Sequence, residues 1–223
     1  MARRLAAAVL LVLALAGCGG SSTNGEAKKP AAQVVADAQK AAGSARIVHV
    51  VGTGIDNGRP LKLDLWLENG RGKGHLEESG AGFDVVRVGD AMYVKGSSAF
   101  LKRFAGGAAA ALLHDRWLKS SATKGPLAAL APLTDKRQFV RAALGQHGKL
   151  ENKGLVDRGG TKVVQIADTT QGGSLFVAAE GTPYPVALAG GRAQGSVTFS
   201  GWDAGEQIAA PKSALDLSKL TGR

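Results

Sequence analysis

The chain has one cysteine in 223 residues, so no internal disulfide can form, and no Cys/His set stands at a spacing that would hold zinc. Aromatic residues are scarce at 5% and do not alternate with the basic ones, which removes the stacking platforms that single-stranded nucleic acid requires. No apolar run reaches the roughly 20 residues needed to cross a bilayer. Catalytic signatures are equally thin. His49, His75, His114 and His147 are scattered, without H-E-x-x-H, G-x-S-x-G or clustered carboxylates. Ser121-Ala-Thr-Lys124 matches S-x-x-K but lacks the S-D-N and K-T-G partners of that chemistry. Gly52, Gly54 and Gly58 are spaced G-x-G-x-x-x-G and run into a strand rather than a helix, so they make no dinucleotide loop. These absences argue against an enzyme, a resident metal or cofactor, and a nucleic-acid partner.

What is present begins at the N-terminus. Arg3 and Arg4 precede the apolar run Leu5 to Ala16, and small residues follow, the three-part layout of an export leader. Leu15-Ala16-Gly17-Cys18 resembles the bacterial lipobox, in which cleavage before the cysteine leaves it lipidated as the first mature residue. On that reading residues 1–17 are a signal peptide. Cys18 is then a diacylglyceryl anchor on the extracytoplasmic face of the cell membrane. The following "GGSSTNGEAKKP" offers little apolar surface, so 18–29 is expected to be a flexible tether and 30–223 a single domain. Removing the leader takes away only two of the 28 basic residues against 18 acidic ones, so the exported body stays basic and suited to anionic lipid surfaces.

The body divides into three blocks. Residues 30–45 start with proline and carry Val34, Val35, Ala38 and Ala42 on one helical face. Residues 46–96 then alternate, with Leu61, Leu63, Leu65 and Leu67 on one side of a strand and Lys62, Asp64, Trp66 and Glu68 on the other. Asn57-Gly58 predicts a hairpin that sets Leu61, Leu63, Leu65 and Leu67 opposite Gly54, Gly52, Val50 and Val48. Asn69-Gly70 predicts a second, pairing Glu68 with Arg71 and Lys62 with Glu77. Glycine across from leucine has two readings here, a bend in the sheet or an apolar groove wide enough for an acyl chain.

Residues 97–148 read as helical and loop-like. Phe100, Leu101 and Phe104 form one stripe, Ala108 to Leu113 with Leu112 form a second short segment after Gly106-Gly107, and Thr134 is the expected cap of a helix that Gly145 stops. Strands return from 149 in the pattern of an antiparallel meander. Two runs of strands around a helical insert point to one α+β domain in which the insert covers the sheet. Val48, Val50, Leu61, Leu63, Leu65, Leu67, Phe100, Phe104 and Leu112 are the candidate lining of the cavity.

"VGDAMYVKG", "RWLK", "DTTQGGSLFVA", "TPYPV", "VTFSGW" and "APKSALDLSKL" together resemble the actinobacterial LppX/LprA/LprF/LprG lipoprotein group, similar in fold to the LolA and LolB carriers. The resemblance implies an unclosed antiparallel β-barrel, a half-barrel wrapped around a helical lid, holding acyl chains in an apolar cavity. It also implies a monomer that carries or chaperones a lipid or glycolipid in the envelope, with a membrane transporter as a candidate partner. The alternative from another class is a membrane-tethered envelope sensor of the same fold with no transfer role.

Overall fold

The computed structural model describes residues 23–219, apart from 57, 146, 192–194 and 206. The leader and Cys18 therefore lie outside the described residues. The opening helix α1 (Ala31–Ser44) starts where Pro30 stands at its cap position, and it buries Val34, Val35, Ala38, Ala41 and Ala42 on the expected face. Five strands follow as consecutive hairpins: β1 (Val48–Asp56), β2 (Arg59–Glu68), β3 (Arg71–Glu78), β4 (Ala81–Val88) and β5 (Ala91–Gly96). The leucine register holds residue for residue. Leu61, Leu63, Leu65 and Leu67 face Gly54, Gly52, Val50 and Val48 across β1, and Lys62 and Glu68 face Glu77 and Arg71 across β3.

The insert contains α2 (Ser98–Ala105), α3 (Gly107–Leu113), the strand β6 (Leu118–Ser121) and α4 (Lys136–Gly145). Two single helical turns, Ala128–Leu130 and Pro132–Thr134, precede α4. The strand β6 was not expected in a helical block. It pairs antiparallel with β5 because Leu118 and Ser120 alternate inward, a pattern too short to stand out from its flanks. The meander is β7 (Leu150–Arg158), β8 (Thr161–Asp168), β9 (Ser174–Ala178), β10 (Pro185–Ala189) and β11 (Ser196–Ser200), and the two-residue β12 (Leu215–Asp216) runs parallel to β6.

All twelve strands join one sheet in the order β12-β6-β5-β4-β3-β2-β1-β11-β10-β9-β8-β7. Its edges, β7 and β12, do not pair with each other, so the sheet is an unclosed half-barrel. The β1–β11 pairing joins the two runs of strands into one sheet. The helices pack on the side to which the leucines point. The turn Pro132–Thr134 lies over β2 and β3, α4 over β2, α1 over β7, β8 and β10, and α2 over β4 and β5.

Three further sequence expectations change, and of the two readings of the glycines one gains support: Gly52 and Gly72 leave no space beside the leucines. A Cβ on Gly72 would stand 2.7 Å from the Thr134 carbonyl oxygen, and one on Gly52 would stand 2.9 Å from that of Ser196. These glycines admit close backbone approach. The cap of α4 is Asp135, whose Oδ1 accepts from Gln138 N at 3.0 Å while Oδ2 accepts from Gly70 N at 2.8 Å. The Thr134 hydroxyl instead donates back to the Leu130 carbonyl.

Residues 23–29, expected to be tether, are strapped to the domain. Thr23 bridges Glu180, and the Asn24 amide donates to the carbonyls of Ala178 and Gly181. The Asn152 amide donates to those of Glu26 and Lys29. The strap is held by hydrogen bonds, which a search for apolar residues does not register. Finally, Leu112 lines nothing: α3 buries Ala110 and Leu113, one helical turn apart, and Leu112 on the opposite side is 77% exposed.

Candidate functional site

The helical layer stands off the sheet at one end. There a half-open groove of about 420 Å³ lies between α1 and α4 on one side and strands β7 to β11 on the other. Val35, Ala143 and Leu144 form the helical wall. Leu150, Ile166, Leu175, Leu188 and Val197 form the floor. Inward alternation explains the floor, since Val164 and Ile166 on β8 and Leu175 and Val177 on β9 are all buried. The mouth is more polar, with His147, Asp168, Gln171, Ser174 and Ser196 on its rim.

Both ends of the α4 wall are fixed. At its start, Lys136 is fully buried, and its ammonium donates to the carbonyls of Ala42, Gly43 and Ala45 at the end of α1. At its far end, the Gln39 amide donates to the Leu144 carbonyl at 3.1 Å. Burial pulls the Lys136 pKa below its ordinary value, against the attraction of Asp203.

The rim is set by Asp168. Its Oδ1 accepts from the backbone N–H of Gln171 and Thr170, and its Oδ2 accepts from that of Gly148 at 2.7 Å. These bonds, that from Gln171 foremost, hold its carboxyl below the usual carboxylate range. The group is thereby a brace for the β8–β9 turn.

The cavity residues expected from sequence occupy a different place. Val48, Val50, Leu63, Leu65 and Leu67 are all buried in one cluster with Leu76, Phe83, Phe139 and Phe199, and Leu61, Phe100 and Phe104 pack against it. Leu65 and Leu67 are completely covered. None of these residues lines the groove, although Leu188 touches both that cluster and the one beneath α1. The groove's own residues carry no local signature, because they come from eight elements and meet only on folding.

Two arrangements resemble catalytic ones. On the outer face His49 Nε2 lies 2.7 Å from Asp64 Oδ1, and its Nδ1 lies 3.5 Å from Ser200 Oγ. The serine contact is too long for ready proton transfer, and the Asp64 side chain is 62% exposed where a triad aspartate is buried. His49 also stacks on Trp66 with centroids 4.5 Å apart, as cross-strand neighbours do. In the S-x-x-K stretch, Ser121 Oγ accepts from Lys124 N and Thr123 N and donates to Asp90, which closes a turn. Among the described residues no group of three His, Cys, Asp or Glu is placed to hold a metal ion, and no helix is long and apolar enough to cross a membrane.

No protein-family model and no curated protein sequence matches the chain. Solved structures do. LprF from Mycobacterium bovis is 18% identical with a TM-score of 0.55, covering 85% of this chain and 99% of its own. The Mycobacterium tuberculosis lipoprotein LppX is 18% identical with a TM-score of 0.50, covering 80% of this chain and 99% of its own. The unclosed sheet with its helical layer is thus the fold of LprF and LppX, the group that the sequence motifs resemble.

Proposed function

We propose that the protein is an exported, Cys18-anchored lipoprotein that seats an acyl chain of a lipid or glycolipid and carries or chaperones it in the cell envelope. The observation that carries this reading is the groove of about 420 Å³, apolar in its depth and polar at its mouth, on the fold shared with LprF and LppX. An acyl chain gains about 0.8 kcal/mol for each methylene removed from water, so seating it against the partly exposed Leu150, Leu188 and Val197 is favourable. Val48, Val50, Leu61, Leu63, Leu65, Leu67, Phe100 and Phe104 lie under the same helical layer, and would extend the seat if that layer lifted. The protein's part is binding rather than catalysis. It acts as a monomer, on the extracytoplasmic face, with a membrane transporter as the kind of partner that would supply or accept cargo.

The test is extraction of the purified mature protein followed by mass spectrometry, beside the variant Val197→Trp, which fills the groove. Co-purified lipid in the parent and its depletion in a folded variant are expected. Equal lipid in both, or none in either, overturns the reading. The second reading, an envelope sensor without cargo, is favoured by the complete burial of Leu65 and Leu67, which leaves that part of the interior filled.

A further inference from the structure

A second cleft, of about 300 Å³, lies at the end of the half-barrel where the groove opens, and it is lined by Arg59, Ser79 and Arg103. Arg59 opens β2, Arg103 is on α2, and Ser79 is in the turn between β3 and β4. Backbone contacts bring the three together. Ser79 N donates to the Pro60 carbonyl at 2.9 Å, which ties the turn to the strand of Arg59. The Arg103 Nη1 and Nη2 groups donate to the carbonyls of Glu78 and Ser79, each at 3.2 Å, which ties α2 to the same turn. Ser79 and Gly80 both have positive φ, 49° and 77°, so the chain reverses tightly at this point.

Two guanidinium groups therefore share one cleft. Among the described side chains, the carboxylate facing them is Glu78, whose Oε2 is 3.4 Å from Arg59 Nη1. Each guanidinium has five N–H donors, of which the described contacts use one on Arg59 and two on Arg103. Convergent like charges with spare forked donors suit a tetrahedral oxyanion, which accepts paired hydrogen bonds and cancels the repulsion. β2 is two strands from β11 in the sheet, so Arg59 stands about 10 Å across from the Val197 side of the groove at ~4.8 Å per strand.

We propose that Arg59, Arg103 and Ser79 form a phosphate site that holds the phosphate of an anionic lipid headgroup while its acyl chain occupies the groove. This assignment rests on the lipid-binding reading above. Glu78 competes for Arg59, so an arriving phosphate takes over that guanidinium.

The shared chemistry is phosphate, and three probes separate its sources: inorganic phosphate, dihexanoyl phosphatidic acid, and dihexanoylglycerol, which has the same chains without phosphate. They are titrated calorimetrically into the full mature chain carrying Cys18→Ala. Phosphatidic acid is expected to bind at least tenfold more tightly than the glycerol, because it adds charge-assisted bonds to the same chains. Arg59→Gln with Arg103→Gln removes that difference, Arg59→Gln alone reduces it, and Glu78→Gln widens it several-fold. Because the described contact of Arg59, to Glu78, is long, its single variant remains informative if the double variant fails to fold. Equal affinity for the two chain-bearing probes, or a difference that survives in Arg59→Gln, overturns the phosphate site and leaves the lipid reading standing. Arginine-dependent binding of inorganic phosphate alone overturns the headgroup assignment together with the lipid reading. No binding of any probe overturns both.

Discussion

The Lys136 ammonium donates to the Ala42 carbonyl at 2.7 Å, fastening the start of α4 to the end of α1. The last carbonyls of a helix have no partner within it, and here a buried cation supplies one for Ala42, Gly43 and Ala45. Lys136→Met removes the donor and leaves the buried carbonyls of Ala42 and Ala45 unsatisfied, at a cost of about 2 to 4 kcal/mol in urea unfolding at neutral pH.

The same pair has a pH signature. Because burial lowers the Lys136 pKa in the native state, the unfolded chain binds more protons between that lowered value and the ordinary 10.5. Native stability therefore rises with pH across that window. Measured relative to Lys136→Met, the parent is expected to gain stability as the solution goes from neutral toward pH 10.5. A flat or falling difference would show that the three carbonyls outweigh burial.

Asp168 behaves in the opposite sense. Its carboxyl is held below the usual range by the N–H groups of Gln171, Gly148 and Thr170, so its contribution is present above the unfolded pKa and disappears as pH falls through the native one. Asp168→Asn is expected to lower the melting temperature at pH 7. The gap between parent and variant should close in acid, below both carboxyl pKa values. A gap unchanged with pH would assign the brace to shape rather than charge.

The leucine face and the groove should respond differently to bulk. Leu65 is covered on every side, so Leu65→Ala should cost about 2 to 5 kcal/mol and Leu65→Trp about 1 to 3 kcal/mol. Val197→Trp projects into open volume and should change the melting temperature little while abolishing uptake of a fluorescent fatty acid. If Leu65→Trp lost uptake at unchanged stability, the acyl seat would extend beneath α4.

Cys18→Ala tests the anchor separately from the body, whose described part is already fastened at Thr23 by its bridge to Glu180. The variant is expected in the soluble fraction with the circular dichroism of the parent body. Retention in the membrane fraction after leader cleavage would place the anchor elsewhere.

The amino-acid sequence by itself determined the local part of this molecule. Alternating leucines and two Asn-Gly turns specify the β1–β2–β3 register to the residue, because hairpin geometry and a one-sided apolar face leave a single pairing that buries the leucines. The periodic valines and alanines of α1 are legible for the same reason. Only the tertiary structure decided that polar residues 23–29 are strapped down, that Lys136 is buried, and that the Gly72 side of the leucines is filled by the Thr134 turn. It also decided that open space lies beside Val197 and that Arg59 and Arg103, 44 positions apart, flank one turn. Each of these depends on side chains from distant segments meeting one another, and such encounters leave no period, cap or turn signal in the stretch that contributes them.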